Sequence, residues 1–322
     1  MLDAPNRVPE FVKPEGRVWL SWEPGVMERC ERGTQVVGSV GIGLRWVRVE
    51  PGEYGWRYEA RRGGGGGREA EGFHFGFRPP RDGEAGGRLA VGTVYLVHGY
   101  GVDLETLFPW AVYLAEAGWR AVLVDLPGHG GSGGREVTFG IREVGMLREF
   151  REEQERAGGW EGPSVAFGHS MGAALALRWQ AEDPGIAGSV ALGAYAEFVP
   201  AALRLRDDYA RWVPRGWVRR AAEKVPGLLG VAPERMDTLH EIRGRGLRAF
   251  LVASSDDVVT PPEDSEALRA GLGAGSVFLV VGGATHEALP YAFADHGRRI
   301  VEWLGVVAGA GAGREVAGAD GR

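Results

Sequence analysis

A chain of 322 residues with 44% hydrophobic side chains is long enough to bury a sizeable core, as one large domain or as one domain with insertions. A net charge of −6 gives it no global attraction to nucleic acid or to anionic lipid, and Lys13 and Lys224 are its only lysines, so arginine clusters are discounted as compositional bias. Cys30 is the single cysteine, which excludes an intrachain disulfide and a thiolate metal cluster.

The N-terminus has no basic region followed by an apolar run, and no apolar stretch reaches the length of a membrane span. The expectation is a soluble, cytoplasmic protein of unknown oligomeric state, with no nucleic-acid partner. No fixed-period repeat is present.

In chain order, residues 1–72 are β-like and loop-rich. Aromatic and β-branched residues at 16–22, 43–49 and 55–58 favour strands, and residues 63–67 are a pure glycine run that reads as a flexible loop. Phe73-His-Phe-Gly-Phe-Arg78 alternates strictly, with three phenylalanines on one face. These N-terminal strands would either extend a sheet or embrace the core.

From residue 89 the texture changes. Apolar runs at 93–97, 120–125, 164–167 and 189–192 alternate with amphipathic segments at 104–119, 139–157 and 171–182. Near-continuous apolar strands separated by helices predict a mostly parallel sheet covered on both faces. Residues 197–246 interrupt the alternation with arginine-rich helical sequence that holds Trp212 and Trp217. Strands at 247–252 and 277–281 and helices near 265–270 and 291–304 then resume it. The predicted division is an extension over 1–72, a core over 73–196 and 247–306, an inserted helical segment over 197–246, and a flexible tail over 307–322.

Gly168-His169-Ser170-Met171-Gly172 fits the G-x-S-x-G pattern of a serine nucleophile, but with 54 glycines the pattern alone is weak, and residues 130–134 fit it too. Context separates them. An elbow needs a strand, a sharp turn with the nucleophile at its apex, and a helix departing at once. Ser170 has S-V-A-F before it and M-G-A-A-L-A-L after it; Ser132 has neither neighbour.

A serine hydroxyl attacks only when a base takes its proton and an acid orients that base. His286 follows the strand V-F-L-V-V in the loop G-G-A-T-H-E and is the candidate base. The other histidines precede or adjoin the serine, or lie in the inserted segment or the last helix. After the strand L-R-A-F-L-V the loop offers Asp256 and Asp257, adjacent carboxylates that spacing cannot separate; Glu197 is a third candidate. An oxyanion needs preorganised N–H donors. The Met171 N–H follows from the elbow, and Tyr100 in His98-Gly99-Tyr100-Gly101 is the natural second.

With H-G-Y-G, D-L-P-G-H-G-G-S-G-G, G-H-S-M-G, S-S-D-D-V-V-T-P and G-G-A-T-H-E in this order, the chain resembles the α/β-hydrolase superfamily over roughly residues 73–304. Within it, the chain is most similar to the monoacylglycerol lipase and lysophospholipase group, which is also placed with S33-type serine aminopeptidases. The resemblance implies an α/β-hydrolase fold with Ser170 as nucleophile, His286 as base and Asp257 as acid. Asp256 stands as the alternative because it is adjacent, and Ser254 in the acid's loop occupies a place where the family often has glycine. Tyr100 and Met171 would form the oxyanion hole, and the segment 197–246 would be a cap whose Trp212 and Trp217 line an acyl pocket or touch a lipid surface transiently.

The implied activity is cofactor- and metal-free hydrolysis of carboxylic esters of lipid-like or small acyl substrates. Aminopeptidase, thioesterase or carbon–carbon bond hydrolase activity on the same triad is the alternative. The rival of a different class is a non-catalytic binding protein that has kept this fold.

Overall fold

The structure is a computed structural model that describes residues 18–22, 25–62, 71–78 and 89–309. The glycine run at 63–67 and the tail beyond 309 lie outside the described residues.

An eight-stranded sheet runs through the molecule. Its strands are β2 (Glu31–Val37), β3 (Ile42–Val49), β6 (Thr93–Val97), β7 (Arg120–Val124), β8 (Ser164–His169), β9 (Ile186–Leu192), β10 (Ala249–Ser254) and β11 (Val277–Val281). The spatial order is β11-β10-β9-β8-β6-β7-β3-β2. Pairing is parallel from β7 across to β11, and antiparallel where β3 joins β7 and β2 joins β3. The remaining N-terminal strands, β1 (Val18–Trp22), β4 (Arg57–Arg62) and β5 (Glu71–Gly76), form a separate sheet in the order β1-β5-β4.

Residues before Phe73 therefore do both things that their sequence allowed. β2 and β3 continue the main sheet, so position 73 is not a boundary within it. The small sheet instead covers the core: Phe73, Phe75 and Phe77 are buried, and the Trp56 ring lies 5.0 Å from that of Phe293.

The central strands are buried from end to end because helices cover both faces. Alternate residues of one strand serve opposite cores. Ala121 and Leu123 of β7 face α1 (Phe108–Glu116) and α8 (Phe293–Val307), whereas Val122 and Val124 face α2 (Glu143–Gly158) and α3 (Met171–Glu182). α7 (Pro262–Arg269) packs against β10 and β11. Among the described residues no helix is long and apolar enough to cross a membrane.

Between β9 and β10 the chain forms α4 (Phe198–Tyr209), α5 (Arg215–Leu229) and the short α6 (Thr238–Ile242), without a strand. Phe198, Ala222, Val225 and Met236 give these helices a small core of their own. The fully buried Arg178 of α3 ties them down, donating to the carbonyls of Arg235 at 2.7 Å and Met236 at 3.3 Å.

One helix starts later than its pattern predicted. Val144, Leu147 and Phe150 lie on the buried face of α2 as expected, but α2 begins at Glu143, and Phe139 precedes it in a loop with φ of 53°. A left-handed residue ends the helical geometry that periodicity alone extends backwards.

Candidate active site

β8 ends at His169 and α3 begins at Met171, so Ser170 is the single residue between strand and helix. Its φ of 56° is the left-handed region, which costs a non-glycine residue roughly 1–2 kcal/mol. Its N–H donates to Leu192 O at 2.9 Å and anchors the turn on β9. The flanking glycines permit the crossing. A β-carbon on Gly168 would lie 2.0 Å from Gly172 O, and one on Gly172 would lie 2.0 Å from Val97 O.

Backbone oxygens cannot retreat as a flexible side chain can. Gly172→Ala is therefore expected to cost about 3 kcal/mol or more in urea unfolding. Gly145→Ala, on an exposed face of α2 with nothing within 4 Å of the new methyl, gains about 0.5–1 kcal/mol. Equal effects of the two changes would contradict this packing.

Ser170, His286 and Asp257 are brought into one line from three different loops. Ser170 Oγ lies 2.9 Å from His286 Nε2, and His286 Nδ1 lies 2.7 Å from Asp257 Oδ2. An ionised carboxylate only accepts, so Nδ1 carries the proton and Nε2 is left to accept from the serine hydroxyl. Asp257 is itself held on every side. Oδ1 accepts the N–H groups of Val259 and Thr260 at 2.8 Å each, and Oδ2 accepts the Thr260 hydroxyl at 2.7 Å. Burial alone would raise the Asp257 carboxyl, but the His286 ring and these donors outweigh it and hold it below the ordinary carboxylate value.

Asp256 points away from the imidazole. It accepts from Gly283 N–H at 2.6 Å and Ser255 Oγ at 2.8 Å, so the carboxylate on His286 is that of Asp257. Glu197 sits at the start of α4 instead. The close approach of these loops depends on Gly193, with φ of 62°, where a β-carbon would meet Thr260 Oγ1 at 2.9 Å.

The loop after β6 abuts the elbow: a β-carbon on Gly99 would lie 3.4 Å from Ser170 Cβ. Tyr100 follows it, and Met171 opens α3, where the first N–H groups have no acceptor within the helix. Two buried histidines pin this loop on either side of Tyr100. His98 donates from Nδ1 to Gly99 O at 2.7 Å and accepts Leu126 N–H on Nε2 at 3.0 Å. His129 accepts the Gly101 N–H at 3.4 Å and donates to Pro127 O at 3.1 Å. Serving as donor and acceptor at once requires the neutral ring, and burial pushes both down to about 4.

His169 donates from Nε2 to His286 O at 2.9 Å, and burial beside the His286 ring lowers it to about 3. Chain order rules out these three histidines as the base and says nothing of their holding roles. The adjacency of His169 to the serine and the H-G-Y-G and P-G-H-G motifs were the available signals. Ser132, the second serine in a matching pattern, is also structural: it donates to Asp125 O at 2.7 Å and accepts Arg45 N–H at 2.8 Å.

Trp212 and Trp217 are 68% and 65% exposed. On α5 the inward stripe is Val218, Ala222, Val225 and Leu229, which leaves Trp217 on the outer face. A cleft of about 430 Å³ opens between α4, α5 and residues 233–237, and neither tryptophan lines it. Its floor is apolar, with Phe198, Ala222 and Met236, and its rim carries Glu197, Glu223 and Glu234; it is offset from Ser170, which does not line it. Among the described residues no group of three or more His, Cys, Asp or Glu side chains is arranged to hold a metal ion.

Residues 89–238 match the family model described as serine aminopeptidase, S33. Among solved structures, the chain is similar to an esterase of Pyrococcus furiosus, with 18% identity and a TM-score of 0.60 over 89% of this chain and 96% of that one. It is similar to a monoacylglycerol lipase of Paleococcus ferrophilus, with 24% identity and a TM-score of 0.51 over 69% of this chain and 96% of that one. A soluble variant of monoglyceride lipase from Saccharomyces cerevisiae, in complex with a substrate analog, gives 17% identity and a TM-score of 0.58 over 86% and 96% of the respective chains. No curated protein matches. With this sheet order, this elbow and these likenesses, the chain has the α/β-hydrolase fold, and its segment 89–238 matches the S33 serine aminopeptidase model.

Proposed function

We propose that the protein is a serine hydrolase that cleaves carboxylic esters of lipid-like or small acyl substrates. The observation that carries this reading is the continuous relay of 2.9 Å and 2.7 Å from the Ser170 hydroxyl through His286 to Asp257, at the N-terminus of α3.

Ser170 Oγ attacks the ester carbonyl as its proton passes to His286 Nε2, and the carbonyl oxygen becomes an oxyanion facing the Tyr100 and Met171 N–H groups. The imidazolium then protonates the leaving alcohol as the C–O bond breaks, leaving an acyl-serine. Water attacks next, gives its proton to Nε2, and the acid departs with Ser170 restored. Asp257 stays ionised and holds the Nδ1–H tautomer throughout.

A second reading, aminopeptidase action on the same triad, is favoured by the description of the family matched by residues 89–238. Relative kcat/KM on p-nitrophenyl esters, acyl thioesters and aminoacyl arylamides separates the two. The ester reading expects the esters to lead. Turnover of arylamides above esters would replace it, and tight ligand binding with no turnover would favour a binding protein.

Thr260 is proposed as a positioning residue for the acid. Its hydroxyl donates to Asp257 Oδ2 and also lies 3.1 Å from His286 Nδ1. Thr260→Val removes a hydrogen bond to a charged group, so kcat is expected to fall by about tenfold with KM little changed. Thr260→Ser restores it. A valine variant with wild-type kcat would remove Thr260 from the account.

A further inference from the structure

Phe139 and Ser170 are the two non-glycine residues with left-handed φ among the described residues, at 53° and 56°. Strain at Ser170 belongs to the elbow; Phe139 takes no part in the triad. A bulky side chain is held in this region only where its surroundings over-determine it, and such positions gather at functional sites. Here the buried Glu143 carboxylate does the holding. It accepts the Thr138 N–H and hydroxyl on one side of Phe139 and the Gly140 N–H at 2.9 Å on the other. Gly140 then passes against the buried Arg178, where a β-carbon would lie 2.9 Å from Nε.

The ring held in this way joins two regions. It stacks on Tyr100 of the oxyanion loop, with centroids 5.9 Å apart and planes at 27°, and lies 4.7 Å from the ring of Phe198. Phe198 opens α4 and lines the floor of the 430 Å³ cleft. Phe139 also packs on both hydrophobic clusters here, the one that contains Met171 and Leu175 and the one that contains Tyr195, Ala222 and Val225. The row Tyr100–Phe139–Phe198 thus runs from the loop whose Gly99 abuts Ser170 to the cleft.

We propose that Phe139 is a specificity-determining residue: its ring, held by Glu143 between Tyr100 and Phe198, walls off the cap cleft from Ser170 and limits the acyl chain to short lengths. This rests on the ester-hydrolase reading. The cleft floor is apolar, so a chain admitted past position 139 has surface to bury, while the rim carboxylates repel an anionic chain end.

The test is kcat/KM on p-nitrophenyl butyrate, octanoate and dodecanoate for the wild type, Phe139→Ala and Phe139→Leu. The wild type is expected to prefer butyrate. Phe139→Ala raises the octanoate-to-butyrate ratio by about tenfold or more, and Phe139→Leu raises it less. Ratios unchanged within about twofold, or an equal loss on every ester, would overturn the proposal, because a purely structural residue lowers all substrates alike. Wild-type preference for octanoate overturns it as well. Should the alanine variant fail to fold, the leucine variant decides alone. Absence of any ester turnover by the wild type gives no ratio at all; it overturns the ester-hydrolase reading, and this proposal falls with it.

Discussion

Ser170→Ala is expected to lower kcat/KM on a p-nitrophenyl ester by about 10⁴- to 10⁶-fold while the protein stays folded. The change removes one oxygen, whose hydrogen bond in the structure is to His286 Nε2 at 2.9 Å. The backbone keeps its Ser170 N–H bond to Leu192 O, and the glycines at 168 and 172 still permit the crossing. Residual activity would come from the oxyanion donors and from substrate binding. His286→Ala should cost about as much, and the double variant little more than either single one, because nucleophile and base act as a unit. Additive losses in kcat would mean that the two do not share a step. Circular dichroism and the urea midpoint check that the fold survives.

A second large effect is loss of stability on mild acidification. His98, His129 and His296 are each pushed down to about 4, and His169 to about 3, in every case chiefly by burial. A histidine whose folded value lies below its unfolded value of about 6.5 binds a proton more readily once the chain opens. Its stabilising contribution is whole above about pH 6.5 and shrinks as pH falls toward the folded value. One pH unit below 6.5 each histidine loses about 1.4 kcal/mol, so the four together lose about 5–6 kcal/mol, a large part of a typical 5–15 kcal/mol stability.

Asp264 works the other way. Burial raises it to about 6 despite Arg204 beside it, so its contribution grows as pH falls below that value. It offsets only about 1 kcal/mol at pH 5.5. Urea midpoints between pH 7.5 and 5.5 should therefore fall steeply, with a net uptake of up to about three protons on unfolding once the Asp264 proton is set against the histidines. A flat profile would contradict neutral histidines holding the Tyr100 loop and the His286 loop.

The central sheet was legible because its strands are apolar throughout and the segments between them repeat every three to four residues. That is the pattern of parallel strands under two helical layers. Pairing was not legible for the N-terminal strands. Alternation at 73–78 marks a buried face, but nothing in it says that β5 pairs with β1 and β4 while β3 joins β7. Ser170 and His286 stood out because the proposed nucleophile and base sit at strand ends in a recognisable order.

Asp256 and Asp257 could not be separated by spacing, since adjacent side chains diverge and only the loop's path decides which meets the imidazole. Phe139 was misread as helical because a left-handed φ leaves no trace in hydrophobic period. The exposure of Trp217 was not legible for a related reason. α5 carries apolar residues on both of its faces, and burial of Ala222 and Val225 was decided by α4 and Met236, which lie elsewhere in the chain.

Ser170, activated by His286 and Asp257, is proposed as the nucleophile. The most direct test is the reaction of the native protein with a fluorophosphonate, followed by intact mass and peptide mapping. A single covalent adduct is expected on the peptide that contains Ser170, as is its loss in Ser170→Ala. No adduct on the native protein, or equal labelling of the alanine variant, would contradict it.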